Sequence, residues 1–398
     1  MGLDRWLSHL VGTVRFVKLL HTGDWHIGKA LRGRSRIDEH TRVLTEVASI
    51  ASREQVDAVV VAGDVFETSV PAPDAQKVAW NALLDFRSTG AEVFVIAGNH
   101  DSPHAFDAMT PLCEAAGIHL LGHPKAPDAG GVVEFTTRGG ELVRVASLPF
   151  VSQRHAVRAN DLFELSGDKT ANEYASNYRR LVDYLMNTAT TDAVSILVAH
   201  ATIVNATFGG GEREAHSIFE YAVPASVFPV AAHYIALGHL HRTQAVAAGC
   251  PAWYCGSPIQ VDFGEGTNTP QVLIVEAHAK SRAKIRSVSI TTADRLLNVE
   301  GSLAELAVMA PTLTDAWLKV RVNEPLRAGL ADEVRSILPR AVDVIITHTP
   351  DDAPTQPPSA SRSGRNPSEL FGEYLAERGI NDDRVIALFN AMLSQLNA

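Results

Sequence analysis

Gly98-Asn99-His100-Asp101 follows the apolar run Glu92 to Ala97, and the reading of this tetrapeptide decides the fold. Standing alone, a Gly-Asn pair after a strand is a turn, because both residues tolerate positive φ. Four other apolar runs end in the same kind of chemistry. Arg15 to Leu20 runs into His21-Thr22-Gly23-Asp24-Trp25-His26, and Asp57 to Ala62 into Gly63-Asp64. Val194 to Ala199 ends at His200, and Tyr234 to Leu237 in Gly238-His239-Leu240-His241. In open α/β sheets ligands bind outside the carboxyl ends of strands, so these ends can converge on one site. A lone histidine or aspartate there would be structural; chance rarely places every one of them directly after a buried strand.

The donors are Asp24, His26, Asp64, Asn99, His200, His239 and His241. Carboxylates, imidazoles and one amide, with no thiolate, favour Mn²⁺, Fe²⁺ or Zn²⁺ over a structural zinc site. Asp24 and His26 are two apart, as are His239 and His241; on an extended chain both members of such a pair point the same way. This set exceeds one octahedral ion once water is counted. Two ions sharing a bridging carboxylate, roughly 3.5 to 4 Å apart, are the natural solution, and the matching reaction class is phosphoester hydrolysis.

The chain has 398 residues, enough for two or three domains, with 46% hydrophobic and 20% charged residues, an ordinary globular mixture. No apolar stretch approaches the ~20 residues a membrane-spanning helix needs, so no membrane segment is expected. Residues 1–14 hold Leu3, Trp6, Leu7, Leu10 and Val11 at helix-like spacing, but Asp4, Arg5 and His9 interrupt them, so they are not expected to make a secretory h-region. They are read as an N-terminal extension, with the fold beginning near Arg15. Cys113, Cys250 and Cys255 are too few for a disulfide framework or a zinc knuckle and fit a reducing cytoplasm. A net charge of −10 argues against a chain that coats nucleic acid over its whole surface.

Behind the first strand, Lys29, Arg32, Arg34, Arg36 and Arg42 face only Asp38 and Glu39. This segment is either a solvated loop and helix start or a phosphate-contacting loop beside the site. Helical patterns follow at Val43 to Ile50, around Val78 to Phe86, at Phe106 to Ala116 and at Tyr174 to Thr188, and Val132 to Thr136 with Leu142 to Leu148 reads as an antiparallel pair. Gly209-Gly210-Gly211 is either a flexible lid or an uninvolved surface loop. Trp253 to Cys255, Gln271 to Glu276 and Ile285 to Ile290 complete a first domain over 15–291.

From 292 to 349 the pattern changes to helix (Ser302 to Met309), strand (Ala316 to Val322), helix (Ala328 to Leu338) and strand (Val342 to Thr347), a small α+β unit without metal-type residues at its strand ends. Residues 350–367 are a Pro-rich linker by composition. Over 368–398, Leu370, Phe371, Tyr374 and Leu375 form one apolar stripe and Val385, Leu388, Phe389 and Met392, with Leu393 and Leu396, a second. Two short amphipathic helices beyond a linker dock either on their own body or, the preferred reading, on a partner.

Asp-x-His, Gly-Asp, Gly-Asn-His-Asp, His and Gly-His-x-His, in this order, resemble the calcineurin-like metallophosphoesterase superfamily over roughly Arg15 to Ala277. The resemblance implies an α/β fold, a four-layer αββα sandwich. It implies a first metal on Asp24, His26, Asp64 and His241, and a second on Asp64, Asn99, His200 and His239, with Asp64 bridging. His100 is similar to the family's non-ligand catalytic histidine, which Asp101 would orient. Further stretches resemble the SbcD-type nuclease subunits, bacterial counterparts of the double-strand-break repair nuclease: residues 21–28, Ala62-Gly63-Asp64-Val65-Phe66, and Tyr254-Cys255-Gly256-Ser257-Pro258 continuing to Glu265. Glu67 departs from archaeal and eukaryotic relatives, which carry a histidine there.

That resemblance implies a Mn²⁺-dependent DNA nuclease, with Mg²⁺, Fe²⁺ or Zn²⁺ as other fillings. Its expected activities are 3′ to 5′ exonuclease on duplex ends and endonuclease on hairpins and single strands. It also implies a DNA-binding cap at 292–349, phosphate contacts from Lys29, Arg32, Arg34 and Arg36, and a tail that grips an SbcC-type ATPase. A homodimer in a cytoplasmic, nucleoid-associated complex is the expected assembly. The rival readings are a stand-alone phosphodiesterase acting on a cyclic nucleotide or other small diester, and a non-catalytic scaffold that binds DNA ends.

Overall fold

The computed structural model describes residues 16–152, 174–187, 192–212 and 222–347, together with 371, 372, 374, 375, 384–386, 388 and 389 of the tail. The extension at 1–14, the linker at 350–367, Leu370 and Met392 lie outside the described residues. Two six-stranded sheets form the body. The first runs, in spatial order, β14 (Ser281–Ser289), β13 (Gln271–His278), β1 (Val17–Thr22), β2 (Ala58–Val61), β3 (Glu92–Ile96) and β4 (Ile118–Leu121). The second runs β11 (Gln244–Val246), β12 (Ala252–Tyr254), β10 (Tyr234–Gly238), β7 (Ala193–His200), β6 (Leu142–Leu148) and β5 (Val132–Thr136). A short pair, β8 (Thr202–Ile203) and β9 (Ala222–Val223), stands beside them.

Strands buried on both faces need apolar side chains at every position, and the central strands show why these runs are continuous. In β2, Val59 and Val61 face a core shared with the helices, while Ala58 and Val60 face the other sheet. Val93 and Val95 of β3 divide from Phe94 and Ile96 in the same way. Val194, Ile196 and Val198 of β7 meet the first sheet, and Leu197 and Ala199 turn to the opposite side. The helices α1 (Ile37–Glu54), α2 (Pro73–Ser88) and α3 (Pro103–Ala115) cover the outer face of the first sheet with Val43, Val47, Leu83, Phe86 and Phe106. Helix α4 (Tyr174–Met186) covers the second with Tyr178, Leu181, Val182 and Leu185. The layers are therefore helix, sheet, sheet, helix, as expected.

β1, β2, β3 and β4 run parallel, as do β6, β7, β10 and β12. This sends the ends of β1, β2 and β3 one way within the first sheet, and those of β7 and β10 one way within the second. The same compact unit extends to Thr347. Its last part is wound βαβαβ: β15 (Arg295–Gly301), α5 (Leu303–Met309), β16 (Ala316–Val322), α6 (Leu330–Ile337) and β17 (Ala341–Ile346), with all strand pairs parallel. Strand β15 has no counterpart in the sequence reading, because Asn298 and Glu300 break its apolar pattern and it is secured by pairing along β16. Leu306, Leu318, Val320, Leu330 and Val334 give this unit a hydrophobic core of its own.

In the tail, helical positions occur at 371, 372, 374 and 375, and at 384–386, 388 and 389. Phe371 stacks on Phe389 with ring centroids 4.1 Å apart, so the two stripes meet through these rings. Tyr374 and Leu388 remain exposed, and Leu375 is buried.

Candidate active site

The loop after β1 continues its pairing with the loop after β2. Asp24 N–H donates to Gly63 O at 2.9 Å, His26 N–H to Asp64 O at 3.0 Å and Ile27 N–H to Val65 O at 3.0 Å. The backbone there is not extended: φ is 50° at Asp24, 48° at His26, 48° at Asp64 and 105° at His239. The Asp24/His26 pair is therefore aimed by left-handed turns, which corrects the extended geometry expected from two-residue spacing. Non-glycine residues at positive φ cost of order 1–3 kcal/mol and persist where the surroundings over-determine them.

All the donor residues expected from sequence are brought together. Asp24, His26 and Asp64 form one group whose ligand atoms lie within 4.8 Å of one another, and Asp64, His200 and His239 form a second. Asp64 belongs to both. Its Oδ2 lies 3.7 Å from His26 Nε2 and 3.5 Å from His200 Nε2. Asn99 Oδ1 lies 2.9 Å from His200 Nε2 and 2.8 Å from His239 Nδ1. His26 Nε2 and His241 Nε2 face each other at 3.0 Å.

Hydrogen bonds behind the donors fix their orientation. His26 Nδ1 donates to Glu67 Oε2 at 3.0 Å, and His241 Nδ1 to Glu265 Oε1 at 2.6 Å. His200 Nδ1 donates to Ala62 O at 2.8 Å. With each Nδ1 proton so committed, Nε2 of all three presents a lone pair to the centre. Once the rings are neutral, as metal ligation requires, the Nε2 lone pairs of His26 and His241 oppose each other at 3.0 Å, and His200 Nε2 opposes the Asn99 carbonyl oxygen at 2.9 Å. Acceptors crowded against acceptors are satisfied by cations, so this donor set fits divalent metal ions.

The chain that carries these donors also matches known proteins. Residues 17–243 fit the model of the calcineurin-like phosphoesterase family. The chain is 34% identical over 82% of its length to the SbcD subunit of nuclease SbcCD from Bacillus subtilis, covering 85% of that protein. It is 32% identical over 63% of its length to the protein of that name from Rhodobacter capsulatus, covering 64% of it, and 27% identical over 77% to that of Escherichia coli, covering 78%. The chain belongs to the calcineurin-like phosphoesterase family, alongside the SbcD nuclease subunits. It is a metal-dependent hydrolase of phosphoesters of the dinuclear class.

In this phosphoesterase, Glu67, Glu212 and Glu265 are site residues that sequence reasoning misses or leaves aside. Glu67 joins three groups: its carboxylate holds His26 and, at 3.0 Å, Lys29 Nζ, and its backbone carbonyl accepts from His100 Nδ1 at 2.8 Å. Glu212 accepts from the backbone N–H of Gly209, Gly210 and His241. The glycine triplet is thus bound to a donor residue, neither a detached lid nor an uninvolved loop. A Cβ on Gly211 would stand 2.0 Å from Glu265 Oε1, so only glycine lets this segment pass. A carboxylate one step removed from a histidine leaves no mark in a sequence, because its partner lies tens of residues away.

Two further corrections fall on the tetrapeptide. Asp101 does not touch His100; its carboxylate accepts from the N–H groups of Gly98, Val65 and Phe66 and ties the β2 and β3 loops together. Gly98 is needed for close approach, not for positive φ: a Cβ there would lie 2.1 Å from Asp64 Oδ1. His100 N–H donates to that same oxygen at 2.8 Å.

Burial and mutual charge shift the titration of the group. Burial pushes Asp24 up to about 7 against the pull of His200 and His241. Burial also raises Asp64, but His200, His26 and His100 outweigh it and hold this carboxylate well below its usual range. Burial lifts Asp101 to about 7, with the Asp64 charge adding to it. His26 is pushed down to about 4 by burial, whereas for His200 and His241 the neighbouring carboxylates overcome burial and raise them to about 9, so in the metal-free chain each of these two carries a second proton that an arriving metal ion displaces. The centre gathers carboxylates and imidazoles in a buried pocket, a donor set that cations complete.

The basic loop is less uniform than its sequence. Arg36 is 3% exposed; its guanidinium is paired with Glu39 at 2.7 Å and donates to Gln260 O, so it is withdrawn from any phosphate surface. This corrects the phosphate contact expected of Arg36: a buried guanidinium with a carboxylate partner is a structural ion pair. Arg32 pairs with Asp343 of β17 at 2.8 Å, and Lys29 with Glu67. Arg34 is exposed. Leu31 packs with Phe263 and Leu296, which ties this loop to the βαβαβ unit. No helix among the described residues is long and apolar enough to cross a membrane.

Proposed function

We propose that the chain is a DNA nuclease working with two Mn²⁺ ions. In this reading Asp24, His26, Asp64 and His241 hold one ion, and Asp64, Asn99, His200 and His239 the other. Such a pair, when bound, polarises the phosphoryl group and neutralises charge on its oxygens. The observation that carries the reading is Asp64, which faces both donor groups from the middle. His100 stands outside the donor set, with Nδ1 committed to the Glu67 carbonyl. Its Nε2 is then the atom that faces the substrate, and in the imidazolium form it gives its proton to the leaving oxygen. Glu67 sets that tautomer through its backbone and steadies His26 through its side chain.

The relatives named for the nuclease SbcCD support a nuclease role; DNA is the proposed substrate, with duplex ends cut 3′ to 5′ and hairpins opened. Their name also supports a partner subunit; the proposed partner is an SbcC-type ATPase, held by Phe371, Tyr374, Leu375, Val385, Leu388 and Phe389 of the tail. The βαβαβ unit is proposed as the DNA-facing cap. Acidic residues outnumber basic ones across 292–347, so phosphate contact on this side falls to Arg34, with Arg32 beside it. The complex is proposed to act in the cytoplasm.

His100→Ala should keep two bound Mn²⁺ and lose about 10²- to 10⁴-fold in turnover, the range of one general acid; loss of metal instead would overturn the assignment. Cleavage of hairpin DNA alongside a chromogenic diester tests the substrate. Activity on the small diester alone would favour a stand-alone phosphodiesterase. Removing residues after Pro367 should abolish co-purification with the ATPase while metal content stays the same.

A further inference from the structure

Among the described residues, one cluster of metal-type side chains lies apart from the catalytic donors: His104, Asp107 and His123. His104 and Asp107 are three apart on α3 and share its face. His123 stands just past the end of β4. The close approach that joins them runs through Gly122, where a Cβ would lie 2.1 Å from Pro103 O and 2.7 Å from Asp107 Oδ1. His123 Nδ1 meets Asp107 Oδ2 at 2.6 Å, and the rings of His104 and His123 lie 4.7 Å apart. The donor atoms of all three fall within 4.8 Å of one another. Asp107 Oδ1 is buried and has no hydrogen-bond partner.

A simple His123–Asp107 ion pair explains neither the second imidazole against it nor the unsatisfied carboxylate oxygen. Buried polar atoms are ordinarily paired, and an orphan calls for a ligand. We propose that His104, Asp107 and His123 form an additional site for a borderline divalent cation, Zn²⁺ by preference. Two imidazoles and one carboxylate suit Zn²⁺ and exclude Ca²⁺ and Mg²⁺, which take oxygen donors. Three protein ligands leave a fourth position for water, so the site is open and exchangeable. An ion there clamps the first turns of α3 to the exit of β4. α3 begins directly after the loop that carries Asn99, His100 and Asp101, so the clamp braces that loop.

The test compares zinc uptake by the full-length protein with that of His123→Ala and Asp107→Asn after dialysis at equal free Zn²⁺. The native chain should hold one more zinc ion than either variant, and zinc should raise its melting temperature further. Loss of one ligand should weaken this ion by at least about tenfold. Equal zinc content in native protein and both variants overturns the proposal. His104 is exposed, so His104→Ala gives the same comparison where a substitution at His123 disturbs the fold. With no zinc added, hydrolysis supported by Mn²⁺ should be the same in the native chain and in every variant, which separates this site from the catalytic centre.

Discussion

The strand-end donors and the basic loop at residues 29–36 both carry functional-type residues in the sequence, yet they fare differently in the fold. Every strand-end donor reaches one centre. The four cations of the loop separate: Arg36 is buried against Glu39, Arg32 reaches across to Asp343, Lys29 holds Glu67, and Arg34 stays exposed. A residue at the end of a buried strand has its place fixed by the sheet. A charge in a loop takes whichever partner the tertiary structure offers, and the sign of that charge alone does not say which.

The sharpest way to break this contrast is Asp64→Asn. It should lower hydrolysis by at least about 10³-fold, the scale of losing one preorganised charge-stabilising group, with loss of bound metal measured in parallel. Retained activity would show that the two donor groups do not depend on their shared member. On the loop side, Arg36→Ala leaves Glu39 buried without its partner and should cost about 3–5 kcal/mol of stability in urea unfolding. An unchanged midpoint would return Arg36 to the surface cations.

A third test uses the helix that follows the loop. His40 is buried between the carbonyls of Arg36 and Trp25, and burial, with the Arg36 charge, pushes it down to about 4 from the ordinary 6.5. The unfolded chain therefore takes up the proton first. Stability from this histidine is complete above pH 6.5 and is lost as pH falls towards 4, a span of about 3 kcal/mol. His40→Asn should flatten the pH dependence of the unfolding midpoint in that window; an unaltered slope would place the loss elsewhere. The smallest effect belongs to Arg34→Ala, which should leave stability within about 0.5 kcal/mol of the native chain. It should weaken DNA binding evenly across sequences and reduce the salt slope by about 1.

The fold is legible in the sequence because both faces of its central strands are covered. Continuous runs such as Asp57 to Ala62 and Val194 to Ala199 follow from that burial. Strand β15 escapes such a reading because its Asn298 and Glu300 interrupt the pattern and its pairing with β16 is a long-range matter. Glu265 and Glu212 escape it for a related reason. Each acts on His241 from a distant part of the chain, and a lone glutamate in a loop carries no periodic signal.

Gly98 to Asp101 shows where the division falls. The order of residues alone marks this stretch as the end of a buried strand carrying metal-type and proton-transferring groups. Only the tertiary structure assigns the individual tasks. Gly98 gives up its side chain to Asp64, Asp101 binds two loops by their amides, and the Glu67 carbonyl, not Asp101, sets the His100 tautomer. Hydrophobic periodicity is a local property that a sequence records directly. Hydrogen-bond partnership between loops depends on which strand ends the sheets bring side by side, and that is decided when the layers pack.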